Sequence, residues 1–561
     1  MQLRKNSLII LILFLFVGSF TQAQKVKMLR PYDGSTDSYL MVQIKADTIA
    51  TGGLLPDRVY QLENGGLYLN TEILNVASNR TIRLMAPEGA KPIIYQYPTG
   101  TGANPTRPPG NLFVLLGGKL EMTNIAVAGY FEPEPSYVAD VQGGLINTTQ
   151  VGSSIIIDNC ILTNINGQHI RTGSATVKIK VTNSIFANMG SLSSSNFGAG
   201  KGLDLREASC DSLILVNNTF VNYQDRIIRH YNFANPLAGT GIIGYAKVDH
   251  NTFVNGMGFH GLLSLGNVGK KVIITNNLFV DAFAAGSDTT DLVRSVEWGN
   301  TGELDGNGNN KMPWIFSAPN DTTAWTISKN YFSVSTESQN FFTAHPPAKI
   351  GNQLSDHIKA RLGSGAATAF TKIDVTLKKV PALMTKLMEY YWTLAGKTKD
   401  KPGYDYKIHD MDRQPYFYYE QTMDASYPTS NIAYTGADNS LPAGDLNWFP
   451  DKKHIWLTSV EKVSEAIVTD YALEQNYPNP FNPSTIISYS IPKAASISLV
   501  IYNSLGQEVN RLISNTEQSA GKYEALWNGK DSHGNLVPSG VYFYQLLSND
   551  FQITKKMMLI K

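Results

Sequence analysis

The chain has 561 residues, a formal net charge of +1 and 17% charged residues. This balance excludes nucleic acid or a charged membrane surface as a partner held by bulk electrostatics. The 47 glycines and 28 tyrosines are typical of a β-rich, turn-rich extracellular protein, and the length suits about two to four domains.

Residues 1–23 have the pattern of a secretory signal peptide. Arg4 and Lys5 form the positive start, Leu8–Phe16 is apolar, and Thr21–Ala23 is the small-residue cleavage site. The apolar stretch is too short to span a membrane comfortably. We therefore expect an exported protein with no transmembrane segment once the signal is removed.

The next stretch leads into a repeat. Strand-like runs occur at Asp57–Leu62, Gly66–Leu69 and Thr81–Ala86, and Tyr97–Gly110 has the composition of an exposed loop. A stack of coils needs its open end covered. We therefore expect residues 24–340 to form an N-terminal cap followed by the coils.

From about Leu112 to Val334 one sequence motif recurs, which we call the phrase. It is a short alternating apolar run, then Asn, one variable residue and a large apolar residue. The clearest copy ends in Asn218-Thr-Phe220, and the others contain Asn124, Asn159, Asn183, Asn251, Asn277 and Asn330.

A strand repeat of this size with no helical pattern between copies predicts a right-handed parallel β-helix. Asn tolerates a left-handed backbone, which suits a tight bend, and stacked Asn side chains can also hydrogen-bond from coil to coil. The gap of 53 residues between Asn277 and Asn330 predicts one coil without the phrase. A β-sandwich with chance Asn residues is the alternative.

Two further expectations concern the rest of this region. Cys160 and Cys210 each lie in or beside a coil strand, which favours two buried free thiols over a disulfide. Residues 341–450 lose the repeat and predict an irregular C-terminal cover with one helix, Pro381–Leu394. Residues 451–470 have the composition of a linker.

Residues 471–561 predict a small β-sandwich, because short alternating strands are separated by turn signals. They also resemble the C-terminal sorting domain of the type IX secretion system. The matching stretches are Asn476–Pro483, Ile501–Gly506, Trp527–Gly534, Pro538–Tyr542 and Lys555–Lys561. The resemblance implies export across the outer membrane by that machinery, leaving the protein secreted or attached to the cell surface.

The densest group of ionisable residues lies within 201–230. Alternation in Leu203–Arg206 places Asp204 and Arg206 outside if the leucines point inward. A bend at Arg226–His230 would turn Arg229 or His230 into a groove, whereas Asp225 and Arg226 are expected to be solvated surface ion pairs. Asp204, Glu207 and Asp211 offer the oxygen ligands that Ca²⁺ prefers.

Part of this region resembles the β-helical polysaccharide lyases that include chondroitinase B and alginate lyases. The matching residues are Asn218–Phe220, Ile227–His230 and Val248–Phe253. The resemblance implies that Arg229 is the proton donor and that calcium is the only cofactor. The chain departs from the family by lacking its base lysine, so Lys201 or Arg206 would have to act as the base.

The sequence therefore predicts an all-β protein, a right-handed parallel β-helix followed by a β-sandwich, that acts on a polysaccharide as a monomer. The enzymatic hypothesis is β-elimination from a uronate polymer, with Arg229, Arg206, Lys201 and His230 as catalytic candidates. The alternative is a non-catalytic glycan-binding or adhesin-like surface protein. Besides the polysaccharide, the expected partner is the type IX machinery.

Overall fold

The structure is a computed structural model of the full chain. It describes residues 26–55, 58–98, 108–134, 136–137, 143–190, 199–206, 208–230, 241–258, 260–284, 286, 298–346, 348–393, 405–457, 461–464, 470–477, 479–518, 520–548 and 551–560. The predicted signal peptide, residues 1–23, lies outside the described residues. The chain divides into two compact units, Met1–Trp448 and Phe449–Lys561.

Among its described residues, the first unit contains 28 short strands. In chain order they are β1 (Val26–Met28), β2 (Val59–Gln61), β3 (Leu67–Asn70), β4 (Leu74–Ala77), β5 (Thr81–Met85), β6 (Ile93–Gln96), β7 (Phe113–Leu116), β8 (Lys119–Thr123), β9 (Ala126–Ala128), β10 (Gly144–Gln150), β11 (Ser153–Asp158), β12 (Ile161–Ile165), β13 (Gln168–Thr172), β14 (Thr176–Thr182), β15 (Ile185–Met189), β16 (Lys201–Asp204), β17 (Cys210–Val216), β18 (Thr219–Tyr223), β19 (Ile228–Arg229), β20 (Ile243–Asp249), β21 (Thr252–Gly256), β22 (Leu263–Gly266), β23 (Val268–Thr275), β24 (Leu278–Val280), β25 (Ile315–Ser317), β26 (Ala324–Ser328), β27 (Asn330–Ser333) and β28 (Phe370–Lys372).

These strands form three parallel sheets along a common stack. The first sheet has the order β1-β2-β5-β8-β11-β14-β17-β20-β23-β26, the second β3-β6-β9-β12-β15-β18-β21-β24-β27-β28, and the third β4-β7-β10-β13-β16-β19-β22-β25. Each coil contributes one strand to each sheet, and neighbouring coils pair in parallel. This confirms the predicted right-handed parallel β-helix.

The core is a set of inward rows in which equivalent residues of successive coils stack. In the second sheet Phe186, Phe220, Phe253 and Phe279 lie one above another, with ring centroids 5.3, 5.3 and 4.7 Å apart. These residues, like the leucines and isoleucines of the other two sheets, are fully buried. The alternation seen in sequence therefore places large apolar side chains inside every coil.

Cys160 and Cys210 are both buried and both free. Burial raises the pKa of the Cys160 thiol to about 12. The two cysteines therefore pack as small apolar residues, as predicted.

The bend between the first and second sheets uses two successive residues rather than one. The left-handed residue is the phrase Asn itself in early coils, with φ of 58° at Asn124 and 54° at Asn183. In later coils it is the preceding residue, such as Asn217 or His250. The phrase Asn then lies one position further on and forms the coil-to-coil ladder. In the early coils the phrase Asn has both predicted roles, since Asn159 Nδ2 donates to Asn124 Oδ1 at 3.1 Å and both residues are left-handed, whereas in later coils the roles fall on two successive residues.

The ladder in the later coils is buried and complete. Asn251 donates from Nδ2 to Asn277 Oδ1 at 3.0 Å and to the Leu215 carbonyl at 2.9 Å. Its Oδ1 accepts from the backbone N–H and the Nδ2 of Asn218, both at 3.0 Å. Each amide therefore satisfies backbone groups of the coil before it, which a smaller apolar residue could not do.

Replacing Asn251 by Ala is expected to destabilise the first unit by about 1–3 kcal/mol for each buried donor left unpaired. Urea denaturation followed by circular dichroism would measure the change. The exposed Asn307 is the control, and its replacement by Ala should change the free energy of unfolding by less than about 0.5 kcal/mol. Equal effects of the two substitutions would contradict the ladder.

The gap of 53 residues does not contain an extra coil. Strand β23 pairs directly with β26, with Val272 opposite Trp325, and Asn277 Nδ2 donates to Asn330 Oδ1 at 2.9 Å. Strand β24 ends at Val280 and β25 begins at Ile315, and the described residues between them contain no strand. The prediction of a coil lacking the phrase was wrong, because a parallel coil tolerates a long insertion at a corner without losing its register.

A second ladder at the end of the second-sheet strands was not predicted. Asn164, Asn188, Asn222 and Asn255 are all left-handed, and each donates to its predecessor at 3.1–3.4 Å. Asn164 Nδ2 in turn donates to Glu132 Oε1 at 2.6 Å. Burial is the largest influence on Glu132 and raises its pKa to about 7.

Glu132 gives the first unit a pH-dependent stability. Its folded pKa of about 7 exceeds the ordinary value of 4.5, so between these values the folded state holds a proton that the unfolded state has lost. Stability therefore falls as pH rises through this window. Relative to that of Glu132→Gln, the free energy of unfolding of the wild type should fall by about 2–4 kcal/mol between about pH 4 and about pH 8.

The measurement is the free energy of unfolding of both proteins across that pH range. Glu134→Gln serves as the control, because Glu134 is exposed and should show no comparable difference from the wild type. A constant difference between wild type and Glu132→Gln would contradict the raised pKa.

Seven α-helices and six 3-10 helices occur among the described residues. The α-helices are α1 (Leu40–Ala50), α2 (Thr336–Ala344), α3 (Asp356–Leu362), α4 (Thr385–Thr393), α5 (Tyr406–His409), α6 (Tyr416–Gln421) and α7 (Pro450–Leu457). The 3-10 helices are Thr36–Ser38, Gly299–Thr301, Gly363–Thr368, Ile432–Tyr434, Asp438–Ser440 and Leu446–Trp448.

The ends of the stack are closed by helices. At the N-terminal end α1 buries Leu40, Met41 and Ile44 in the main core. At the C-terminal end α3 buries Ile358 in the same core. The predicted helix at Pro381–Leu394 appears as α4, but it packs with Met257 and Phe341 beside the coils and does not close the end, which corrects the expected cover.

The segment after α5 runs along the outer face of the second sheet. The carbonyls of Asp412 and Gln414 accept from Asn222 and Asn188 at 2.8 and 2.7 Å, and Trp448 Nε1 donates to Thr219 Oγ1 at 2.8 Å. This cover leaves the first and third sheets as the more open faces. It contains several helices rather than the single one expected.

The second unit consists of two antiparallel sheets. Its strands are β29 (Glu461–Ser464), β30 (Ala472–Leu473), β31 (Thr485–Ile491), β32 (Ala495–Asn503), β33 (Glu508–Gln518), β34 (Gly521–Trp527), β35 (Gly540–Ser548) and β36 (Phe551–Leu559), in the orders β29-β34-β31-β30 and β33-β32-β35-β36. Residues from both sheets share one core, which includes Trp527 and Tyr544. This is the predicted β-sandwich, although α7 and β29 lie where a linker was expected.

Candidate functional site

The outward side of the third sheet carries a row of polar residues from successive coils. The inward row is apolar and includes Ile170, Leu203 and Ile228. The residue after each of these points outward, so that Arg171 pairs with Asp204 and Asp204 with Arg229 across β13, β16 and β19. Parallel pairing thus brings three charged side chains into one line about 5 Å apart.

The carboxylate of this row is surrounded by guanidinium groups. Arg229 Nη1 donates to Asp204 Oδ1 at 2.9 Å, with the Arg229 side chain 21% exposed and Asp204 3% exposed. Burial lowers the pKa of Arg171, and the positive charges of Arg206 and Arg229 lower it further. Arg171 and Arg229 thus lie on either side of Asp204 in the strand register, and the charge of Arg206 also acts on Arg171.

Beneath this row lies a buried ionic cluster centred on Asp225. Its Oδ1 is 2.9 Å from His260 Nδ1, and its Oδ2 is 3.2 Å from Lys201 Nζ and 3.4 Å from Arg226 Nε. Arg226 also donates from Nη1 to Ser264 Oγ at 3.2 Å. Asp225 is completely buried and Arg226 is 2% exposed, so both are core groups and the expected solvated ion pairs were wrong.

The electrostatics of the cluster favour a charged Asp225 and lower the pKa of Lys201. Burial alone would raise the pKa of Asp225, but the positive charges of Arg226, His260 and Lys201 hold it below its ordinary value. Burial lowers the pKa of Lys201, although Asp225 opposes that shift. Lys201 is therefore easier to deprotonate than a surface lysine.

The catalytic candidates lie on or just after the neighbouring strands β16 and β19. Arg229 lies on β19, opposite Asp204 of β16. Lys201 begins β16, the strand of Asp204, and reaches into the cluster below. Arg206 lies just beyond that strand in a left-handed conformation with φ of 49°, and it is exposed.

His230 does not line the groove, which corrects the sequence analysis. It is 1% exposed, and its Nδ1 and Nε2 lie 2.7 and 3.0 Å from the carbonyl oxygens of Leu265 and Ala208. The ring therefore connects neighbouring backbone segments. This is a structural role, because both ring nitrogens face carbonyl groups inside the protein.

The predicted calcium ligands do not form one site. Asp204 is paired with Arg229 in the third sheet, whereas Asp211 is exposed on β17 of the first sheet. Glu207 lies outside the described residues. Among the residues that the structure describes, no group of three His, Cys, Asp or Glu side chains is arranged to hold a metal ion. A calcium requirement stays a prediction, and no step below depends on it.

The sequence analysis missed or undervalued three members of the site, Arg171, Asp225 and His260. Arg171 occupies the row equivalent to Asp204, a position that aligning the strands by their inward residues would have shown. Asp225 and His260 come from loops after β18 and β21. Nothing in the local pattern indicates that a residue in an irregular corner is buried.

The fold defines this chain as a parallel β-helix protein with a C-terminal β-sandwich. Within the second unit, residues 483–549 match the FlgD Ig-like domain family. None of the curated proteins matches the chain. In the part of the chain that the structure covers, no helix is long and apolar enough to cross a membrane.

Three solved structures are similar to parts of the chain. PorZ, an essential bacterial surface component of the type IX secretion system of Porphyromonas gingivalis, is 22% identical over 18% of this chain, with a TM-score of 0.13. FlgD from P. aeruginosa is 24% identical over 17% of this chain and 74% of its own, with a TM-score of 0.12. Pectin methylesterase PemA from Erwinia chrysanthemi is 12% identical over 61% of this chain and 96% of its own, with a TM-score of 0.25.

The match to PorZ spans only 12% of the PorZ chain. Similarity at these levels carries no catalytic residue from one protein to another.

Proposed function

We propose that the third-sheet face binds an acidic polysaccharide and cleaves it by β-elimination. The observation that carries this proposal is the line of Arg171, Asp204 and Arg229 across three paired strands, with Arg229 bonded to Asp204 and Arg206 two residues after it. Arg171 and Arg229 lie in this row and Arg206 just beyond β16, so three cationic side chains accompany the one carboxylate of Asp204. Such a surface attracts a polymer of carboxylated sugars.

The residues present support the chemistry of that reaction. A guanidinium that neutralises the uronate carboxylate makes the neighbouring C–H more acidic, and Arg229 or Arg171 is placed for that role. Lys201, with its lowered pKa, is the candidate base that removes the proton. Arg206 does not act as the base, because a guanidinium stays protonated in proteins. Arg229 or Arg206 would stabilise the negative charge that develops on the leaving oxygen, and that oxygen would take its proton from water or from the protonated Lys201.

A second candidate function is glycan binding without catalysis. Lys201 and Arg229 are each in an ion pair with a buried carboxylate, Asp225 and Asp204. These pairs would have to loosen before either residue acted on a substrate. The arrangement would still bind an acidic glycan through the remaining guanidinium donors.

Incubation of the full-length protein with alginate, pectate and chondroitin, with and without calcium, tests both candidates. The ultraviolet absorbance of the unsaturated product reports elimination, and affinity electrophoresis reports binding. We expect binding to at least one polymer that weakens as salt is added, together with a rise in absorbance. Binding without any rise favours the second candidate, whereas no binding to any of the three overturns the proposal.

The C-terminal unit is the second part of the proposal. Its residues resemble type IX sorting domains, and PorZ, a surface component of that system, is similar to 18% of this chain. We expect this unit to direct export, so that the polysaccharide is met outside the cell. When residues 471–561 are deleted in the native host, the β-helix unit should remain in the periplasm and not reach the cell surface. Cell fractionation measures this.

A further inference from the structure

A group of aromatic side chains lies near the N-terminal end of the β-helix and is not part of the site above. We call it the tyrosine platform, and it comprises Tyr32, Tyr39, Tyr97, Phe131 and Tyr137. Each ring lies within 6.5 Å, centroid to centroid, of another member of the platform. All five side chains are half-exposed.

The platform differs from the coils because its aromatic rings are partly exposed. The large aromatic side chains of the coils themselves, such as Phe220 and Phe253, are fully buried. Here Tyr97 packs on Phe131 at 5.2 Å and on Tyr137 at 6.0 Å, so the rings support one another while keeping surface in solvent. A contiguous exposed aromatic patch on a soluble protein commonly marks a binding surface.

The platform follows the same corner of the β-helix as the ionic site. Tyr97 comes directly after β6, and Phe131 follows β9, where the chain passes from the second sheet to the third. Asp225 and Arg226 occupy the same corner after β18. Strands β9, β12, β15 and β18 are successive neighbours in the second sheet, so the two features are about 15 Å apart along one edge.

Arg171 is the part of the ionic site that lies nearest to the platform along the stack. It lies on β13, which pairs with β10, the strand that follows Phe131. The platform and the arginine row are therefore on adjacent coils, about 5 Å apart along the stack at their nearest. A linear polymer bound to the arginine row and running toward the N-terminal end would meet the platform next.

We propose that the tyrosine platform is a distal subsite that stacks sugar rings of the same polysaccharide. This inference rests on the proposed function and deepens it. Tyrosine and phenylalanine faces pack against the C–H faces of a sugar ring, and tyrosine hydroxyls can hydrogen-bond to its edge. The exposed carboxylates nearby, Asp33, Asp37 and Glu134, disfavour a uronate carboxylate at this point, so the platform contacts the ring rather than the acid group.

The test compares polymers with short fragments. Alginate, pectate and chondroitin are each offered as intact polymer and as oligosaccharides of two or three sugars, and binding is measured by calorimetry. Tyr97→Ala and Phe131→Ala should each weaken polymer binding about 2- to 10-fold and leave fragment binding unchanged. Arg229→Gln should weaken both, because the arginine row binds the acid group in either ligand.

Two controls keep the result interpretable. Tyr477→Ala removes an aromatic ring that is 63% exposed in the second unit, and it should change neither measurement. Tyr97→Leu keeps an apolar side chain without a ring, so it should weaken polymer binding as Tyr97→Ala does if stacking matters. If Phe131→Ala does not fold, Tyr97→Leu is measured in its place.

The outcomes separate the inference from the proposed function. Polymer binding that is unchanged in the Tyr97 variants, while Arg229→Gln weakens it, overturns the subsite and leaves the proposed function intact. A wild-type protein that binds none of the three polymers overturns both.

Discussion

Replacing Asp225 by Asn is expected to destabilise the first unit by about 3–5 kcal/mol, because the substitution leaves buried cations without their carboxylate. Asp225 is completely buried and lies within 3.4 Å of Arg226, Lys201 and His260. Asn keeps the shape and one acceptor but removes the negative charge. Urea denaturation of the first unit, followed by circular dichroism, would measure the loss.

The deficit should be smaller when Lys201 is also made neutral. Burial already lowers the pKa of Lys201, so Lys201→Met in the Asp225→Asn background should recover part of the stability. Asp211→Asn, at an exposed position, is the matched control and should change the free energy of unfolding by less than about 0.5 kcal/mol. An Asp225→Asn protein as stable as the control would show that the ionic cluster does not hold these coils together.

Arg229→Gln is expected to weaken binding of an acidic polysaccharide about 10- to 100-fold, because a charge-assisted hydrogen bond to a carboxylate is lost. Any elimination activity should fall at least as far, since the same group would stabilise the charge that develops in the reaction. Calorimetry and the absorbance assay measure the two effects separately. Arg206→Gln should show a smaller decrease, and it leaves the Arg229–Asp204 pair intact.

The first sheet offers a matched control for the Arg229 experiment. Arg83 Nε lies 2.8 Å from Glu121 Oε2, and the exposed fraction of the Arg83 side chain, 23%, matches the 21% of Arg229, although Glu121 is less buried than Asp204. Arg83→Gln should leave polysaccharide binding unchanged. Equal losses in Arg83→Gln and Arg229→Gln would indicate a general effect of charge rather than a site on the third sheet.

The repeated architecture was accessible from sequence because its cause is local. Alternation sets the inward side of each strand, and Asn at a bend tolerates a left-handed backbone, so both signals recur in every coil. The division of the Asn roles in later coils was not accessible, since Asn124 is left-handed and bonded to Asn159, whereas Asn217 is left-handed and Asn218 forms the buried ladder. Neighbouring asparagines look alike until the coils are aligned.

The sequence predicted the placement of candidate site residues only where they lie on strands. Asp204 and Arg229 follow inward residues on β16 and β19, and alternation places them outside. The burial of Asp225 depends instead on His260, which is 35 residues further along the chain. His230 was misplaced for a similar reason, since its two carbonyl partners come from segments 22 and 35 residues away.

A crystal structure of the protein with a long oligouronate tests the central claim most directly. The account predicts the sugar chain along the third sheet, with a carboxylate oxygen about 3 Å from the guanidinium of Arg171 or Arg229. A sugar chain bound on the first sheet, or one whose carboxylates avoid these arginines, would contradict it.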